Sequence, residues 1–488
     1  MSQYPANLSS RIKYLSSFST NNVKINPSSS LTGLQNITTS GDITIDLPPN
    51  SLVDLSSLTL WADFSTGNAI NEAEGIRTYF LTRNANSLIQ RIQVEIGGQL
   101  VSDINDYNRI NAIMSDLQLS YESGSKRILN NYDPLMKRNL DGTFGSVART
   151  SLGLSANVIN DSRKIAMNNF LGFLGTSASD CKYIDTGILG NVRITFTMAP
   201  AATVLIKSAH SATNGATDVG TGALAAGHAN VNDAQFLAEG GPTYSLANVY
   251  ATIKKVHIDD GVFYQTVATA LQSGIPFQYM FNAFNSTKSN QTTGENTIRH
   301  EITSGSVDMA LMTFYDMNGH ICTTLPGIAN IGQDAAVFPK KGATELALGG
   351  KRSSFSSNYF RRKGDEISKT QFHINGEPAP LYAMDNEQVF DKLLQDFNKH
   401  DSIDDGIYPG INSIEAFNEY YWVASLRLSH VSGETGWVSG MDCRGIPATI
   451  ECKTTAVGGA NNDKIGMLTI ISTNVLQCFA GRQLNLIK

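Results

Sequence analysis

At 488 residues the chain exceeds the roughly 250–300 at which a single hydrophobic core stops growing, so two domains are expected. Charged residues make up only 16% of it, below the ~25% of ordinary soluble domains, and 42 glycines accompany abundant Ser, Thr and Asn. The net charge of −6 excludes a generally basic nucleic-acid binder, and no apolar run reaches the ~18–20 residues of a membrane span.

The first 38 residues read as an N-terminal arm. Before Asp42 there are three cations, Arg11, Lys13 and Lys24, and no acidic residue. Leu8, Ile12 and Leu15 give this segment a short apolar face suited to contact on assembly. It lacks the apolar centre of a signal peptide, so synthesis in a cytosol-like compartment is expected.

Alternation of apolar and polar residues, the mark of a half-buried strand, then begins and recurs to the end of the chain. It is seen in Ile43 to Leu47, Leu58 to Phe64, Ile92 to Ile96, Val192 to Phe196, Phe277 to Phe281 and Ala448 to Cys452. Helices are few. One is predicted around Asp106 to Leu117, with Tyr107, Ile110, Met114 and Leu117 aligned. A second spans Gly261 to Gln272. A third runs from Glu387 to Lys399, with Asp385 and Asn386 available as caps. Glycine- and alanine-rich stretches at 207–242 and 323–363 read as long surface loops on a rigid β scaffold.

The strands repeat in order. Ile92 to Gln99 and Thr370 to Glu377 both end in a two-residue turn, Gly97-Gly98 or Asn375-Gly376, and both precede a helix. These dipeptides supply the two positive φ angles of a type I′ hairpin. Gly187-Ile188 leading into Val192 to Phe196 matches Gly445-Ile446 leading into Ala448 to Cys452, and Val249 to Ile258 matches Met467 to Leu476. Three collinear matches indicate two copies of one β domain in tandem, joined through Asp259 to Ser273. The expected division is an arm over 1–38, a first β domain over 39–258, a linking helix over 259–273 and a second β domain over 274–488.

Catalytic and cofactor motifs are missing. There is no G-x-S-x-G, Gly349-Gly350-Lys351 is followed by Arg352 where a phosphate loop needs Ser or Thr, and Gly220 to Gly227 has the wrong spacing for a dinucleotide loop. The closest pair among the eight histidines, His210 and His228, is 18 positions apart. The five cysteines, Cys181, Cys322, Cys443, Cys452 and Cys478, show no zinc spacing and read as reduced, buried thiols. Asp259-Asp260 and Asp404-Asp405 read as a helix cap and a turn, and His373 as an outward polar or satisfied core residue. No catalytic, cofactor or metal residue is therefore assigned, and no enzyme activity is expected.

Leu88 to Leu100, Val192 to Phe196, and Tyr244 to Tyr250 continuing to Val256 to Asp259 resemble landmark strands of the double-jelly-roll major capsid proteins of polinton-like viruses, virophages and nucleocytoplasmic large DNA viruses, a lineage that includes adenovirus hexon. The resemblance implies an all-β fold of two tandem eight-stranded jelly-roll sandwiches, with short helices in loops and a connecting helix. It further implies a structural subunit of an icosahedral virion shell, assembled inside the host cell as a homotrimer of pseudo-hexagonal outline. Its implied partners are neighbouring capsomers, penton proteins and minor or cement capsid proteins, with internal membrane contact through the arm and no sequence-specific nucleic acid binding. The alternative is a viral spike or lectin-like β-sandwich that binds surfaces. A lectin-like site calls for grouped exposed aromatics, and Trp61, Trp422 and Trp437 form no sequence cluster.

Overall fold

The computed structural model describes residues 18–28, 34–37, 40–67, 70–72, 75–81, 84–118, 162–175, 183–211, 243–258, 261–316, 359–360, 362–364, 366–397, 414, 417–418, 421–429, 440–443, 448–457 and 464–488. Sixteen strands among these build two sandwiches of the same plan. In the first, β1 is Phe18–Ile25, β2 Gly41–Asp46, β3 Leu52–Gly67, β4 Ile89–Ile96, β5 Gln99–Ile104, β6 Tyr183–Asp185, β7 Val192–Met198 and β8 Thr243–Ile258. In the second, β9 is Phe277–Gln291, β10 Gly294–Ile302, β11 Ser306–Asp316, β12 Ile367–Ile374, β13 Glu377–Met384, β14 Ala424–Arg427, β15 Ala448–Ala456 and β16 Lys464–Phe479.

Every strand of the first roll has a counterpart eight labels later. The first roll pairs its strands in the orders β1-β8-β3-β6 and β2-β7-β4-β5, and the second in the orders β9-β16-β11-β14 and β10-β15-β12-β13. All of these pairings are antiparallel. Short strands add to this frame: Leu34–Ile37 on β8, Ser162–Met167 on β3, and Gln483–Ile487 on β16.

The alternation read in the sequence becomes burial. Along β7, Val192, Ile194, Phe196 and Met198 are wholly buried while the residues between them are not. The repeated turns carry the expected geometry, with φ of 58° and 84° at Gly97 and Gly98, and of 51° and 87° at Asn375 and Gly376. Asn375 tolerates that conformation and also accepts a 2.9 Å bond at its side chain from the Thr449 amide.

Three helices of eleven or twelve residues lie among the described residues: α1 Tyr107–Gln118, α2 Gly261–Gln272 and α3 Asn386–Asp396. In α3, Asp385 is the cap and forms a reciprocal capping box with Gln388. Asn386 does something else: its amide donates to Gly364 O and its carbonyl accepts from the indole of the fully buried Trp422. Helix α2 joins the two rolls and ends in a Schellman motif. Gly274, at φ 77°, donates to Leu271 O, and Ile275 donates to Ala270 O.

Two expectations need correction. The segment expected as an arm, 1–38, holds β1, which pairs with β8 from Phe18↔Ile258 to Ile25↔Ala251, and the short strand Leu34–Ile37. Strand β1 is the counterpart of β9, so the first sheet needs it as much as the second needs β9. The alternation there, Phe18 to Ile25, is diluted by Ser, Thr and Asn and was hidden by the basic reading of the segment. The loop expected from 207 instead begins with a strand, Leu205–Ser211, paired with Gly75–Leu81. The remainder of that loop, residues 323–358, Arg11, Lys13, Cys181, Cys322, the Asp259-Asp260 and Asp404-Asp405 pairs, His228, Gly220 to Gly227, Gly349 to Arg352 and Trp437 lie outside the described residues.

Candidate functional site

Helix α1 carries the feature that periodicity understates. Its aligned apolar residues, Tyr107, Ile110, Met114 and Leu117, fill the first roll's core as expected. An amphipathic helix would turn its other face to water. Here Asn108, Arg109, Asn111, Ser115 and Asp116 are buried too, with exposures of 1, 5, 4, 8 and 0%. The second roll meets Asn108, Arg109 and Asp116, while Asn111 and Ser115 bond within the first.

A buried polar face must find partners, because each lone donor or acceptor forfeits its hydration. Asp116 receives the Arg362 guanidinium at 2.8 Å, and both side chains are wholly buried. Arg109, seven residues and two turns earlier on the same side, lies with its guanidinium carbon 4.2 Å from the ring centroids of both Tyr315 and Tyr359. A desolvated cation between two aromatic faces gains about 2 kcal/mol or more from such contact. Asn108 donates to the Tyr359 hydroxyl at 3.5 Å, while Ser115 donates to Asn111, which donates in turn to Tyr107. Burial pushes the phenols of Tyr107 and Tyr315 above their ordinary values, the latter despite two nearby guanidiniums. Both stay neutral at physiological pH.

Arg362 is placed by backbone as well as charge. It bridges Tyr315 at the end of β11 to Tyr421, and its carbonyl accepts from the Trp422 amide. Below α1 the seam continues. Asp106 pairs with Lys288 of β9, Phe173 meets Phe281 edge-on at 5.2 Å, and the Cys478 thiol reaches Ile188 O at 3.6 Å. Buried apolar residues of both rolls form one continuous cluster.

The residues singled out from the sequence do not gather into a reactive site. His373 is 8% exposed beneath the turn it precedes, with Nδ1 3.4 Å from Gly376 O. Cys443, Cys452 and Cys478 are buried free thiols, and burial raises Cys478 to about 11 and Cys452 higher still, so neither supplies a thiolate nucleophile. Among the described residues, no three of His, Cys, Asp and Glu converge as a metal site would require. Trp61 stacks on Tyr250 at 6.3 Å and donates to Thr252, whereas Trp422 is core, so these two indoles form no shared surface. Sequence reading missed Arg109, Asp116 and Arg362. The available signal was an Arg and an Asp two turns apart on a helix otherwise rich in uncharged residues.

No protein-family model matches the chain, and no curated protein matches it. Solved structures do. The chain is similar to a chain of the PBCV-1 virus capsid, with a TM-score of 0.54 and 12% identity over 97% of both chains. The fold is a double jelly roll. The Sputnik virophage structure contains a chain similar to this double jelly roll at a TM-score of 0.55 and 10% identity, over 96% of this chain and 88% of that one. The Faustovirus major capsid protein aligns at 0.51 and 10% identity, over 95% and 90%. At such identities it is the fold that is shared, including the succession of two rolls along the whole chain.

Proposed function

We propose that this double jelly roll is the major capsid protein of an icosahedral virus, a structural subunit of the virion that acts by geometry and not by catalysis. The observation that carries this reading is the fusion of two like rolls, through a buried seam, around one continuous apolar core. Two wedges held at a fixed angle are what a tiling subunit requires, and near full-length likeness to chains of two virus particles and to the Faustovirus major capsid protein supports the reading. Three such chains place six rolls around an axis, so a homotrimer presents a pseudo-hexagonal outline and packs against neighbouring capsomers. The first roll begins at Phe18 and the second at residue 274, with α2 between them. Residues before Phe18 are left to contact neighbours, minor or penton proteins, or an internal membrane.

Light scattering of the purified protein is expected to give the mass of three chains, because a closed ring of like contacts is an obligate assembly. Negative-stain images are expected to show a hexagonal outline. A stable monomer of 52.7 kDa would overturn the reading.

A further inference from the structure

The seam inside the molecule is head to tail. It places β5, the edge of the first roll's β2-β7-β4-β5 sheet, beside β9, the edge of the second roll's β9-β16-β11-β14 sheet. Each roll owns both kinds of edge, so one of each is left over. These are β13, the second roll's counterpart of β5, and β1, the first roll's counterpart of β9.

The leftover β13 edge is built unlike an edge that faces water. Thr370 pairs with Met384 and Phe372 with Ala379, so residues 380–383 stand opposite Gln371 alone and the strand bulges outward. Gln371 donates to Pro380 O at 3.1 Å and holds the bulge. At its crest Leu381 is 87% exposed and Tyr382 57%, the kind of apolar edge that soluble proteins avoid leaving open. Beside it a shallow cleft of about 420 Å³ opens along Ile374, Asn375, Glu377, Pro378 and Ala379, at the turn equivalent to Gly97-Gly98 of the first roll.

The two edges also carry charges of opposite sign. In the internal seam, Asp106, just before α1, pairs with Lys288 on β9. At the free edge Asp385 holds the same place before α3, and with Glu377 and Glu387 it is exposed. Strand β1 carries an exposed cation of its own, Lys24, which lies over the Tyr250 ring and stands several positions along the sheet from the place of Lys288 on β9.

We propose that the β13 edge, with Leu381 and Tyr382 at its crest, docks on β1 of a second copy of this chain, repeating the internal seam between molecules. The inference rests on the capsid reading and specifies which faces of the trimer meet. Head-to-tail contacts either close or propagate. When each roll turns about 60° from the last, three molecules close the ring.

The test uses the full-length protein with p-benzoylphenylalanine in place of Tyr382. Irradiation of a mixture of isotopically light and heavy protein is expected to give cross-links between copies, mapped by mass spectrometry to residues 18–25. The double variant Leu381→Asp, Tyr382→Glu is expected to fall from the mass of three chains to one with an unchanged circular dichroism spectrum. A trimeric wild type whose cross-links map elsewhere, or a double variant that stays trimeric, overturns this interface and leaves the trimer standing. A monomeric wild type overturns both. If the double variant does not fold, the cross-link map alone decides.

Discussion

The pair Arg362 and Asp116 concentrates the energetics of the seam in two side chains. Each is wholly buried, so their attraction is strong and the loss of hydration that opposes it is also large. Removing one partner is therefore much worse than removing both. Arg362→Met is expected to cost about 3–5 kcal/mol, because it leaves a carboxylate in the interior without its cation. Combining it with Asp116→Leu is expected to recover most of that loss, since two apolar side chains of similar bulk restore packing without buried charge. Urea unfolding of the two variants checks the order, and a single variant within about 1 kcal/mol of wild type would show that the pair is not the anchor it looks. Arg109, two turns away, has its guanidinium against the faces of Tyr315 and Tyr359.

At the scale of single elements, legibility followed the strength of the local rule. The Gly97-Gly98 and Asn375-Gly376 turns were readable because positive φ at two successive residues is open to few dipeptides. Helix α3 was readable because its apolar stripe and its cap coincide. Helix α1 was half readable. Its apolar face is a local pattern, but the burial of Asn108, Arg109 and Asp116 depends on a roll whose contacting residues lie some 206–251 positions away, and no window of sequence contains that. Strand β1 was lost for the opposite reason: as an edge strand it buries little, so its pattern is weak, yet it supplies eight residue pairs to β8. Two truncations separate arm from sheet. Deletion through residue 17 is expected to leave soluble protein with native circular dichroism. Deletion through residue 38 is expected to abolish it, because β8 loses the strands on its outer side, Phe18–Ile25 opposite residues 251–258 and Leu34–Ile37 opposite Tyr244 and Leu246, and an apolar edge opens to aggregation. Equal solubility of the two would restore the arm reading for all 38 residues.

For the whole molecule, the question is whether two rolls with the same plan behave as two domains. Sequence repetition makes them look separable, and tandem repeats commonly fold in steps. The seam argues otherwise. Isolating the second roll would expose Phe281, Tyr315 and an unpaired Arg362, while isolating the first would expose the polar side of α1 with Asp116. Neither surface resembles the wet, weakly held junction of independently moving domains. A single cooperative transition is expected, and the chain provides the probes: Trp61 reports on the first roll and Trp422 on the second. Versions retaining only one of the three tryptophans, unfolded in urea at the same protein concentration, should give coincident midpoints by fluorescence. In the Arg362→Met background the two midpoints should move apart, because weakening the seam uncouples what it joins. Separate transitions in the otherwise native protein would mean that the angle between the rolls is set by the trimer and not by the chain.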